Sequence, residues 1–253
     1  MEQKGYKMKE NRYDDETFFL KYQEMPRSKG GLKSAGEWSE LEKILPDFHR
    51  KRMLDLGCGY GWHCKYAAEH GAVSILGTDI SQQMLNTARE RNADEKIEYR
   101  HSAMEDLDFP DESFDIVLSS LALHYVKDFA PLVSKIARWL APGGNFVFSV
   151  EHPVFTAYGS QDWYYDENGK ILHFPVDNYY YEGKRDAIFL GERVTKYHRT
   201  LTTYLNTLLQ NHFTLLHIVE PQPPENMLDL PGMKDEMRRP MMLLVAAEKR
   251  IPF

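Results

Sequence analysis

"MLDLGCGYGW", residues 53–62, closes an apolar run with glycines at three alternate positions, Gly57, Gly59 and Gly61, two residues after the acid Asp55. Alternate glycines let a strand end in a sharp turn and let backbone approach a ligand where a Cβ would intrude. The dinucleotide fingerprint G-x-G-x-x-G fits poorly, because counted from Gly57 and Gly59 its third glycine falls on Trp62. Asp55 also puts negative charge where a pyrophosphate needs donors. A ligand bearing an ammonium group suits that carboxylate better, since opposite charges attract strongly in a low-dielectric crevice.

Around this turn, short apolar runs alternate with amphipathic ones, the pattern of strands that cross over through helices. "RMLDLG" reads as the first strand, "WHCKYAAEHG" as a helix stopped by Gly71, and "VSILGTDI" as a second strand carrying Asp79 at its end. "SQQMLNTARERN" is a helix capped by Ser81, with Met84, Leu85 and Ala88 on one face. "KIEYR" and "SFDIVLSS" follow as strands, then the helix "APLVSKIARWL", broken by "APGG" before the strand "NFVFSV". A long irregular interval precedes the helix "TLTTYLNTLLQN" and the strands "FTLLHIVE" and "MMLLVAAEK". The fold class expected is α/β, with a doubly wound, mostly parallel sheet of seven strands. Asp79 would then stand at the rim of the sheet, where a carboxylate can accept from a pair of ligand hydroxyls.

Composition narrows the partner. The 253 residues are 42% hydrophobic and 27% charged, the make-up of a soluble globular protein. No apolar run approaches the roughly 20 residues of a membrane span, and the polar start "MEQKGYKMKENRYDDE" lacks a secretory core, so a cytoplasmic protein without a membrane partner is expected. A net charge of -7 argues against nucleic acid and for a small molecule. Cys58 and Cys64 read as small buried fillers, with no disulfide framework and no metal site.

The interval 151–195 is crowded with aromatics, among them Trp163 and Tyr164, and follows the carboxyl end of the fifth strand, where open α/β sheets bind ligands. It is expected to cover a substrate, with a hairpin turning at Asn168-Gly169. The organisation expected is an N-terminal lid over 1–37, a core over 38–150 and 196–253, and this insertion between them.

Four stretches resemble the class I S-adenosylmethionine-dependent methyltransferases of the small-molecule type: "LDLGCGYG" (54–61), "GTDIS" (77–81), "FDIVLSSLALHYV" (114–126) and "LAPGGNFVFS" (140–149). The resemblance implies a Rossmann-like methyltransferase fold and S-adenosylmethionine as cofactor, with S-adenosylhomocysteine as product. It also implies methyl transfer to a small-molecule acceptor by in-line displacement. It makes Asp55, Gly57, Gly59 and Gly61 the methionine-binding turn, Asp79 the ribose acid and Ile80 the apolar neighbour of adenine. Where the family often reads Asp-Ala after the third strand, this chain has Ala103-Met104, leaving adenine to the Met104 backbone N–H or to Glu105.

In the same family an N-terminal segment often folds over the methionine end, which nominates Tyr22 and Arg27. Bases, where the acceptor needs one, are sought at His124 in "LALHYV" and His152 in "VEHPVF", past the fourth and fifth strands. His198 and Arg199 in "KYHRT" are expected at the start of the returning helix, facing an acidic group of the substrate. Two other readings remain: a noncatalytic S-adenosylmethionine-binding regulatory module, and a nucleotide-cofactor oxidoreductase, which Trp62 and Asp55 disfavour.

Overall fold

The computed structural model describes residues 11–251, so the first ten residues of the expected N-terminal segment lie outside it. Three helices lead in: α1 (Glu16–Gln23), α2 (Pro26–Gly30) and α3 (Trp38–Ile44). The central alternation then runs β1 (Arg52–Leu56), α4 (Trp62–Glu69), β2 (Ser74–Asp79), α5 (Gln82–Arg91), β3 (Ile97–His101), β4 (Phe114–Ser120), α6 (Phe129–Trp139) and β5 (Leu140–Glu151). Next come α7 (Pro153–Ala157) and the strands β6 (Tyr164–Tyr165), β7 (Ile171–His173), β8 (Gly183–Phe189) and β9 (Glu192–His198). The chain closes with α8 (Leu201–Gln210), β10 (Phe213–Val219), α9 (Met233–Glu236) and β11 (Met242–Lys249).

Seven strands form one sheet in the order β10-β11-β5-β4-β1-β2-β3. Neighbours from β3 to β5 are parallel, and only β11 runs against both of its neighbours. The doubly wound expectation therefore holds, with one reversed strand. "APGG" lies inside β5 rather than before it, and the register with β4 shifts there, so the breaker makes a bulge instead of a gap.

Alternation along β1 sorts the core into two layers. Leu54 and Leu56 pack with Val117, Phe148, Trp139 and Ile136 on one face. Met53 packs with Ile75, Leu118, Cys64 and Ala67 on the other. Asp55 shares the parity of Met53, which sends its side chain under α4, where the Cys64 thiol lies 3.3 Å from Oδ2. The register pairs Asp55 with Gly77, so Asp55 sits two residues short of Asp79, roughly 7 Å along the strands at about 3.3 Å per residue. The two carboxylates therefore do not share one rim.

The interval after β5 folds as α7 and two antiparallel ribbons, β6-β7 and β8-β9. The first turns at Gly169, whose φ is 78°. β9 continues to His198, and α8 begins only at Leu201 behind the Thr200 cap, so "KYHRT" is mostly strand.

Gly61 illustrates how packing and ligand demands overlap in one motif. Its φ is 74°, and a Cβ would stand 2.2 Å from the Tyr99 hydroxyl, which donates to the Asn92 carbonyl. Gly61→Ala is expected to destabilise the fold by about 1–3 kcal/mol, the range for a non-glycine residue forced into a sparse backbone region. Chemical denaturation would show the loss as a lower midpoint at unchanged slope. An unaltered midpoint would remove the packing explanation.

Candidate active site

At the carboxyl ends of β1 and β2 the backbone closes on itself. Gly57 N–H and Cys58 N–H both donate to the Thr78 carbonyl, at 2.8 and 2.9 Å. Gly59 N–H donates to Asp79 Oδ2 at 2.9 Å, and Ser81 N–H to Oδ1 at 2.8 Å. Each carboxylate oxygen keeps lone-pair capacity for a ligand hydroxyl. Burial nevertheless raises the Asp79 pKa to about 6. A Cβ on Gly59 would meet nothing within 4 Å, so the space beside that residue is left for something other than the chain.

That space opens into a cavity of about 440 Å³, within the size range of ligand pockets. Gly57, Gly59, Asp79, Ile80 and Met104 line one end. The N-terminal segment supplies Tyr13, Tyr22, Arg27 and Glu37. It is tied down by Asp14, which accepts from the Ser81 hydroxyl at 2.6 Å and the Gln83 amide at 3.1 Å above the N-terminus of α5.

The far end is lined by His124, Glu151, Lys196, Phe189 and a run of prolines and methionines between β10 and β11. Lys196 Nζ donates to Glu151 Oε1 at 2.5 Å and to Gln161 Oε1 at 2.9 Å, while Gln161 Nε2 donates to Glu151 Oε2 at 2.7 Å. Burial pushes the Glu151 carboxyl up, but the Lys196 charge and the hydrogen bonds from Lys196 and Gln161 in this closed ring outweigh it and leave its pKa below the ordinary value. His124 Nδ1 accepts from the Glu151 backbone N–H at 3.3 Å, which assigns its proton to Nε2. Burial lowers its pKa to about 4, so the imidazole is neutral near pH 7.

Residues 54–148 match the family described as Methyltransferase domain. A solved Listeria monocytogenes protein, assigned as an S-adenosylmethionine-dependent methyltransferase, is 54% identical at a TM-score of 0.84, over 87% of this chain and 100% of that one. The chain belongs to the S-adenosylmethionine-dependent methyltransferases. A second solved member, from Mesorhizobium loti, is 42% identical at a TM-score of 0.79, covering 86% of this chain and 100% of its own. The fatty-acid O-methyltransferase of Mycolicibacterium smegmatis is 29% identical over 160 residues, 59% of this chain and 57% of its own length. Among the described residues no helix is long and apolar enough to cross a membrane.

The methyltransferase gathers some sequence candidates at the cavity and not others. Gly57, Gly59, Asp79, Ile80, Met104, Tyr22, Arg27 and His124 are on its wall. Asp55 is fully buried beneath the turn, where its pKa rises to about 7, and Gly61 is used against Tyr99. His152 caps α7, accepting from Val154 N–H at 3.0 Å, with Nε2 2.8 Å from Glu220. His198 is buried with both ring nitrogens engaged, by the Thr156 hydroxyl at 2.8 Å and the Tyr179 carbonyl at 2.9 Å. Arg199 donates to the Val126 and Lys127 carbonyls and pins the chain after β4. Trp163 packs against Phe174 and the Arg239 guanidinium, and Tyr164 is exposed on β6.

Three wall features were missed by sequence reasoning. Lys196 had a signal: alternation along β9 puts it between the buried Val194 and His198, an unusual place for a lysine. The stretch "PQPPENM", 221–227, is compositionally conspicuous but gives no clue to what it faces. Glu37 had none beyond its position before an apolar helix.

The raised pKa of Asp79 generates a test with a definite sign. A ribose diol held by Asp79 would donate to the charged form, so bound cofactor would favour ionisation. Affinity for S-adenosylhomocysteine is therefore expected to rise as pH passes upward through about 6 and to level off above it. Calorimetry in steps from pH 5 to 8 reads this. Asp79→Asn should flatten the inflection, whereas Asp55→Asn should retain it.

Proposed function

We propose that this methyltransferase acts on a small, largely apolar acceptor whose nucleophile has already lost its proton at neutral pH. The observation that carries the proposal is the far wall of the cavity, where apolar side chains surround polar groups that are already spoken for. Met227, Leu230, Met233 and Met242 give a surface that adapts to an apolar body. Its charged members are paired, Lys196 with Glu151 and Glu236 with Arg239. The fatty-acid O-methyltransferase among its relatives agrees with an apolar acceptor carrying an ionised oxygen.

The residues present fit S-adenosylmethionine: the open face at Gly59 gives room, and Asp79 keeps acceptor capacity for a diol. In this reading Asp79 holds the ribose, Ile80 and Met104 flank adenine, and Tyr22 and Arg27 close the methionine end. When bound, the cofactor supplies a methyl group on a positively charged sulfur. The protein's share is then to orient the acceptor and keep water out, which supplies much of the acceleration for such a transfer.

General-base help is not built in. The His124 lone pair on Nδ1 is engaged by the Glu151 amide, and Glu151, paired with Lys196, has a lowered pKa that makes it a weak base. Burial holds Tyr13 protonated, so it is a donor. Such donors orient an acceptor carboxylate but do not deprotonate an alcohol.

The test is a methyl-transfer screen over medium-chain fatty acids, small aromatic acids, amines and phenols, read by release of S-adenosylhomocysteine. Turnover is expected with the apolar acids, at a kcat that stays level between pH 7 and 9. His124→Gln should retain kcat within about tenfold, whereas loss of a general base typically costs about 10²–10⁴-fold. Turnover confined to phenols, with an inflection that His124→Gln removes, would refute the proposal.

A further inference from the structure

Glu37 immediately precedes α3 and is 3% exposed, on the cavity wall beside Arg27. Its Oε1 accepts from Arg27 Nη2. Its Oε2 is shielded from solvent and has no hydrogen-bond donor among the described residues. A buried carboxylate oxygen left unmet is costly, and native structures normally satisfy such atoms. His63, half-buried near Arg27, does not supply the missing cation, because desolvation and the Arg27 charge push its pKa down to about 3.

We infer that Glu37 receives the α-ammonium of the cofactor's methionine moiety, with the neighbouring Arg27 taking the α-carboxylate. The inference rests on the cofactor placement proposed above and adds a contact that the glycine motif does not announce. A glutamate and an arginine side by side present the complement of an amino-acid zwitterion. The acid that the sequence offered for this task, Asp55, is fully buried, absent from the cavity wall and engaged by Cys64. Asp79 is held by the Gly59 and Ser81 amides at the ribose end. Glu37 is thus the carboxylate adjoining Arg27 that has an oxygen to offer.

Two ligands and two proteins test the assignment by calorimetry: S-adenosylhomocysteine and its analogue with hydrogen in place of the α-amino group, each against the wild type and Glu37→Gln. The wild type is expected to prefer S-adenosylhomocysteine by about tenfold or more, and Glu37→Gln to bind the two within about threefold of each other. If Glu37 only positions Arg27, the variant weakens both ligands and keeps the wild-type preference, which overturns the inference. A wild type that binds both ligands equally overturns it without any variant, so a misfolded Glu37→Gln does not rescue it. Absence of any S-adenosylhomocysteine binding to the wild type would instead strike the cofactor placement itself.

Discussion

The double acceptance by the Thr78 carbonyl, of Gly57 and Cys58 amides together, is the constraint on which the rest of the site depends. It holds the end of β1 against the end of β2 and turns the next amide, Gly59, onto the Asp79 carboxylate. Only a positive φ lets the chain do this, and all three alternate glycines have one, at 73°, 53° and 74°. From Asp79 the geometry propagates to Ser81, whose amide meets the same carboxylate and whose hydroxyl caps α5. Asp14 then reaches that hydroxyl and anchors the N-terminal segment over the crevice. One carbonyl thus organises the floor, one wall and the first covering segment.

The opposite wall is assembled from pieces far apart in sequence. Arg239 lies against Phe155, Trp163 and Phe174, with ring centroids 4.6–5.1 Å from its guanidinium, while Glu236 takes its charge. Arg238 donates to the Leu172 carbonyl at 2.6 Å. Phe155, Trp163 and Phe174 of the insertion therefore grip the segment between β10 and β11, whose Met227 and Met233 line the cavity. This explains why Trp163, a reasonable substrate contact by position, is instead part of the support.

The division between what could and could not be read follows from the kind of information each feature carries. The seven strands and Ser81, Asp79 and Gly59 are written in local periodicity and turn chemistry, which the chain alone expresses. The glycine turn misled in part because one motif serves two ends: Gly59 leaves open space, whereas Gly61 makes room for Tyr99. Asp55 misled because side-chain parity along β1, not proximity to the turn, decides which side of the sheet it faces. His198 and Arg199 were misplaced by a boundary, since two further residues of strand turn a helix start into a buried strand end. Lys196, Glu37 and the proline–methionine segment acquire meaning only through neighbours far along the chain, which no window of sequence contains.

Three ion pairs stand around the cavity: Arg27 with Glu37, Lys196 with Glu151, and Arg239 with Glu236. Burying such pairs costs desolvation that their attraction roughly offsets, so they are a poor source of net stability. What they provide is position. Lys196 arrives on β9 and Glu151 ends β5, so their contact sets where the insertion lies relative to the core, and Gln161 locks that contact from a third segment. With Lys196 and Glu151 neutralising each other, the acceptor end offers no uncompensated charge from that pair to the positively charged sulfur of a bound cofactor. In the function proposed above, an acceptor that brings its own negative charge gains the attraction of the sulfonium without competing with that pair for it.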